Sequence, residues 1–97
     1  MAKIRWTEEA ERWLEDIHKY IAKDNPHAAG RVVDGIYDKA QILSDFPEIG
    51  YHYRREPEGN IRVLLYGHYR IAYLYRKPNV AEILGVFHGA LDMNRYI

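Results

Sequence analysis

Residues 61–77 read IRVLLYGHYRIAYLYRK, and this stretch decides the fold. Ile61–Tyr66 is rich in β-formers. Tyr69–Lys77 alternates, with Tyr69, Ile71, Tyr73 and Tyr75 on one face and Arg70, Ala72 and Leu74 on the other. Only Gly67-His68 separates the two runs, a connection too short for anything but a hairpin. Both faces of the second run are partly apolar, as expected of a central strand. If Ile71 and Tyr73 face a helical layer, Arg70 points to the opposite, open face. Arg62 could lie near Arg70, the register being open at this level.

The same reading extends outward in both directions. Pro78-Asn79 makes the next turn and Val80–His88 the last strand. Upstream, Glu56–Asn60 is a turn by composition, and Tyr51–Arg55 has room for one further short strand. Before that the period changes. Ala10, Trp13, Leu14, Ile17 and Ile21 recur at helical spacing over about 7–23, with Tyr20 on the flank. Thr7 offers an N-cap hydroxyl, and Glu8 and Glu9 suit a helix N-terminus. Asp24-Asn25-Pro26 stops this helix, and Pro26 suits the first position of the next. A second stripe runs through Ala29, Val32, Val33, Ile36, Ala40 and Leu43 and ends at Phe46-Pro47. Lys3–Trp6 suits an edge strand. The order β-αα-βββ(β) predicts an α+β fold, a single domain over 1–97. A helical hairpin packs on one face of a small, mainly antiparallel sheet. The other face has only the C-terminal tail to cover it, so it is either solvated or a binding surface.

Composition narrows the function classes. There is no cysteine, which removes disulfides and thiolate metal sites. No run approaches the roughly 18 apolar residues of a membrane span, and the N-terminus lacks a signal-peptide core, so a cytoplasmic protein is expected. Net charge is zero but unevenly spread. Residues 1–49 carry seven Lys/Arg against ten Asp/Glu, and residues 50–97 seven against four. Six of those later seven are arginine: Arg54, Arg55, Arg62, Arg70, Arg76 and Arg95. A neutral chain lacks the long-range field of a dedicated nucleic-acid binder, so the arginines favour a local docking site. The bland alternative is that they are solvated, with their stems on the sheet, and that the tyrosines fill it.

Chemistry is thinly encoded. The five histidines show no metal-ligand spacing and no Gly-rich phosphate loop is present, so no metal or cofactor is expected. An enzyme would have to use arginine, histidine and tyrosine alone, which suffices for metal-free cleavage of RNA by its own 2′-hydroxyl. The C-terminal VFHGALDMNRYI (86–97) offers His88, Arg95 and Tyr96 for such a task.

The β-αα-βββ order, the strand GHYRIAYLYRK (67–77) and the ending VAEILGVFHGALDMNRYI (80–97) resemble the RelE/ParE superfamily of type II toxins. The most specific parts are Tyr69–Tyr73 and Phe87–Asp92. The resemblance implies a toxin neutralised by a cognate antitoxin. That antitoxin is a DNA-binding protein whose C-terminal segment folds over the toxin, and no direct DNA binding by the toxin alone is expected. Two activities follow from the two branches. RelE-like members cut mRNA in the ribosomal A site. They use the arginine of the Tyr-Arg-Ile strand, a basic residue just after the last strand, a C-terminal tyrosine and a large basic excess. ParE-like members inhibit DNA gyrase without known catalytic chemistry of their own.

Arg70 matches the arginine shared by both branches. The post-strand cation falls at Gly89, and Arg95 and Tyr96 are offset from the nuclease's tail tyrosine. With the zero net charge, these departures favour the ParE-like branch. The candidate target- or antitoxin-binding residues are Arg62, Arg70, His88, Asp92 and Arg95. A nuclease would instead use Arg70, His88, Arg95 and Tyr96. An inactive homologue serving only as an interaction module is the third expectation.

Overall fold

A computed structural model describes residues 1–97. β1 (Lys3–Trp6) leads into α1 (Glu8–Ala22), α2 (Pro26–Ala40) and a 3₁₀ turn at Gln41–Ser44. Four strands follow: β2 (Tyr51–Glu56), β3 (Gly59–Tyr66), β4 (Tyr69–Arg76) and β5 (Val80–His88). A short 3₁₀ turn, Met93–Arg95, lies in the tail. The sheet order is β1-β5-β4-β3-β2, with β1 parallel to β5 and every other pair antiparallel. The further strand at 51–55 is therefore real, and it forms one edge. β3 starts two residues before Ile61, because Pro57-Glu58 alone makes the turn.

Local chemistry explains the breaks. Thr7 Oγ1 accepts from the Ala10 N–H at 3.0 Å and donates to the Ile83 carbonyl at 2.8 Å, so one hydroxyl caps α1 and ties it to β5. Asn25 caps α2 through the Ala28 N–H, with Pro26 at the first helical position. Gly67 supplies φ +56° at the first central position of the β3–β4 turn, the type II′ pattern that matches strand twist. Both helices have 15 residues, and neither is long and apolar enough to cross a membrane.

The helices cover one face of the sheet. Ala10, Leu14, Ile36, Ala40 and Leu43 pack on Leu64, Ile71, Tyr73, Ile83 and Val86, nearly all fully buried. Burying each large aliphatic side chain here contributes about 1.5–3 kcal/mol. The Tyr37 hydroxyl donates to Glu11 Oε2 at 2.7 Å and links the two helices. Burial, reinforced by this carboxylate, pushes the Tyr37 pKa up to about 12.

The opposite face carries a second cluster. Val63, Ala72 and Phe87 meet Met93 of the tail, with Tyr53, Leu91 and Ile97 around them. The tail therefore covers this face. Phe87 lies over Gly85, where an added Cβ would fall 2.4 Å from the ring. Trp13 does not join the helical core. β1 stops at Trp6, opposite Ile83, which leaves the outer edge of β5 beyond that point to α1. Trp13 reaches round that edge and meets Phe87 edge-on, with ring centres 4.7 Å apart.

Candidate functional site

The residues that sequence singles out fall on two sides of the sheet. Across the β3–β4 hairpin, Arg62 pairs with Tyr73 and Leu65 with Arg70. Residues directly opposite share a face, so Arg62 lies on the helix side and Arg70 on the tail side. The expectation that they lie near one another is corrected. The observed Tyr66–Tyr69 pairing across the two-residue loop at Gly67-His68 sets every pair behind it.

Each of these arginines holds backbone. Arg62 Nη1 donates to the Glu48 carbonyl at 3.0 Å and the Gly50 carbonyl at 2.7 Å. Beside it the Tyr73 hydroxyl donates to the Pro47 carbonyl at 2.7 Å and accepts from the Gly50 N–H at 3.0 Å. Burial raises the Tyr73 pKa, the Gly50 N–H and Arg62 partly opposing it. Together these two side chains fasten the loop that brings the chain from the helices into β2. Arg70 Nη2 donates to the carbonyls of His88, at 3.3 Å, and Leu91. The Nε atoms of both arginines are buried without an acceptor. Arg54 donates to Glu56 and to the Ile97 carbonyl, and Arg76 faces Glu82 at 3.7 Å. Four of the six arginines are thus engaged within the chain, which corrects the picture of an open arginine surface. Arg55 and Arg95 are exposed and hold no partner.

The tail occupies the tail side of the sheet in a defined path. The Gly89 N–H donates to the His68 carbonyl at 2.8 Å, and a Cβ at Gly89 would stand 3.3 Å from that oxygen. Asp92 caps the 3₁₀ turn by accepting from the Asn94 N–H at 3.1 Å. Tyr53 donates to Asn94. Tyr96 stacks on Phe87 and meets Trp13 edge-on, so the offset tyrosine is a packing residue of this face.

His88 goes the other way. It pairs with Tyr69 across β4–β5 and shares that residue's side, with ring centres 5.9 Å apart. Its Nδ1 accepts from the Ala90 N–H at 3.1 Å. The four residues of the nuclease expectation are therefore divided. Arg70 and Tyr96 face the tail side, His88 faces the other side, and Arg95 points into solvent.

Beside His88 lies a groove of ≈ 530 Å³ between α1 and the ends of β4 and β5. Trp13, Ile17, Tyr20, Tyr69, Val86, Ala90 and Leu91 line it, with Asp16 and His88 as its polar members. Burial raises the Tyr69 pKa, with a smaller push from Tyr20. Tyr20 is 75% exposed, a large aromatic left outside the core. Sequence patterning passed over this groove. Its signal was present: Trp13 and Tyr20 stand seven residues apart, two helical turns, and so share one flank of α1.

Comparison with known proteins supplies the context. Residues 4–93 match the family described as the ParE toxin of the type II toxin–antitoxin system parDE. "Putative toxin Y4kP" of Sinorhizobium fredii is 37% identical over 86 residues, covering 89% of this chain and 86% of that protein. A chain of the chromosomal ParDE toxin–antitoxin system from P. aeruginosa shares the fold, with a TM-score of 0.72 and 21% identity. It covers 91% of this chain and 96% of that one. A chain of the toxin–antitoxin complex RelBE2 from Mycobacterium tuberculosis superposes with a TM-score of 0.64 and 28% identity. There the coverage is 90% and 96%.

Proposed function

Because the chain belongs to the ParE toxin family, and is a type II toxin of the ParE/RelE superfamily, we propose that it inhibits DNA gyrase by binding and is neutralised by a cognate antitoxin. The observation that carries the choice of target is position 89. A ribosome-dependent nuclease of this superfamily is expected to place a cation there. Here a glycine turns the chain, its N–H on the His68 carbonyl and its Cβ position close to that oxygen. The division of Arg70, His88, Arg95 and Tyr96 between two faces and solvent supports the same reading, since acid–base cleavage needs its groups within hydrogen-bond reach of one substrate.

In this reading the gyrase-facing surface is the outer side of the tail, with Asp92 and Arg95 as its charged members. The antitoxin's C-terminal segment folds along the groove beside His88, its apolar residues meeting Ile17, Tyr20 and Tyr69. The candidate Arg70 serves this surface indirectly, through the tail backbone it holds, whereas Arg62 fastens the loop at 48–50 and has no part in it.

Likeness to a RelBE complex keeps ribosome-dependent mRNA cleavage as the second reading. Induced expression without antitoxin, followed by supercoiling with purified gyrase, separates the cases. Growth arrest with blocked supercoiling is expected. Arrest with normal supercoiling and mRNA cut at ribosome-bound codons would favour the nuclease. Normal growth with unimpaired supercoiling would leave only an interaction module.

A further inference from the structure

We infer that Arg70 is a positioning residue, a clamp that sets the path of the C-terminal tail. The tail cannot hold itself. Residues 89–97 contain one three-residue 3₁₀ turn, too short to persist alone, and one fully buried anchor, Met93. The remaining fastening comes from short-range backbone bonds, from Tyr96 packed on Phe87 and Trp13, and from the sheet side chains Arg54 and Arg70 that reach for its backbone. The His88 carbonyl already accepts from the Leu91 N–H at 2.9 Å and takes Arg70 as a second donor, whereas the Leu91 carbonyl has no backbone donor and depends on Arg70.

Arg70 stands where this matters most. His88 is the last residue of β5, and Leu91 is three residues on. One guanidinium nitrogen holds both carbonyls and so sets the direction in which the chain leaves the strand. Arg54 holds the far end at the Ile97 carbonyl. Both Nη2 hydrogens face the tail and Nε is buried, so the docked tail takes up that part of the Arg70 guanidinium and leaves only Nη1 for a partner. The consequence for toxicity rests on the gyrase-directed reading above; the clamp does not.

Amide hydrogen exchange on the full chain tests this, with Arg70→Ala and Arg54→Ala beside the unaltered protein. Losing charge-assisted bonds at the hinge should speed exchange of the amides at 91–97 roughly ten- to a hundred-fold, while strand amides at 61–66 and 71–75 keep their rates. Arg54→Ala should loosen the tail in the same direction, and both variants should weaken toxicity. Unchanged tail exchange in Arg70→Ala would overturn the clamp, and lost toxicity with an intact tail would make Arg70 a direct contact instead. Should Arg70→Ala unfold, NMR of the unaltered protein still decides. Slowly exchanging guanidinium protons with cross-peaks to Leu91 support the clamp, and their absence overturns it. A wild-type chain without effect on gyrase would defeat the target reading while leaving the exchange result standing.

Discussion

The two faces of the sheet are covered by different physical means. On one, two amphipathic helices bury a broad apolar layer, and Ile36, Leu43, Ile71 and Tyr73 are wholly withdrawn from water. On the other, nine residues of tail cross a smaller cluster centred on Phe87 and Met93. The helical layer satisfies its own backbone, so apolar burial alone can hold it. The tail has only a few short-range backbone bonds, and Arg70 and Arg54 add donors to the carbonyls of Leu91 and Ile97 while Tyr53 donates to the Asn94 side chain. The lesson is that an arginine-rich sheet need not be a docking surface. Three of these six guanidinium groups, those of Arg54, Arg62 and Arg70, hold the chain's own carbonyls.

Substitutions that separate the two modes follow in order of expected size. Ile71→Ala, at the centre of the helical side, should cost about 3–4 kcal/mol and lower the urea midpoint of the whole domain. An equal loss from Met93→Ala would contradict the view that the tail side is the thinner layer. That substitution should cost about 2 kcal/mol, because fewer neighbours surround the site and the tail can settle into the space. Its mark should be local, with faster exchange at 91–97 before the sheet is affected.

Tyr37→Phe should cost about 1 kcal/mol at neutral pH, through the lost bond to Glu11. Its pH dependence is the sharper test. The folded-state pKa is raised to about 12 from an ordinary 10.0, so the folded chain holds this proton more tightly. The stabilisation is full below pH 10 and is lost as pH rises toward 12. Denaturant titrations of the Phe variant should therefore fall less steeply than wild type across that window. The smallest effect should come from Glu82→Gln, which breaks a partly exposed pair with Arg76 at 3.7 Å. Half a kcal/mol or less is expected. A larger loss would mean that rim arginines matter as much as those holding backbone.

Much of this arrangement is legible in the residues. The helical stripes, the Thr7 and Asn25-Pro26 punctuation and the alternation of Tyr69–Tyr75 lead directly to the layers observed. The side of Arg62 was left open in the sequence and is set by the observed Tyr66–Tyr69 pairing across the two-residue loop. Other features were not legible either. β2 carries an extra residue at Tyr53 and β5 one at Leu84, and a single bulge swaps which side chains face the core. Trp13 sits in an apolar stripe, and only the early end of β1 sends it round the sheet edge to Phe87. The engagement of Arg54 and Arg70 depends on where nine tail residues come to rest, which no local periodicity encodes. Gly89 was readable as a missing cation, whereas its bond to His68 needed the fold.

The target is tested most directly by DNA cleavage in a purified reaction of gyrase, ATP and relaxed plasmid, with and without the unaltered chain. We predict that supercoiling stops and that linear plasmid, released from trapped cleaved complexes by detergent and protease, accumulates with added protein. Undiminished supercoiling without linear plasmid, in a preparation that arrests growth when expressed, would contradict the gyrase reading.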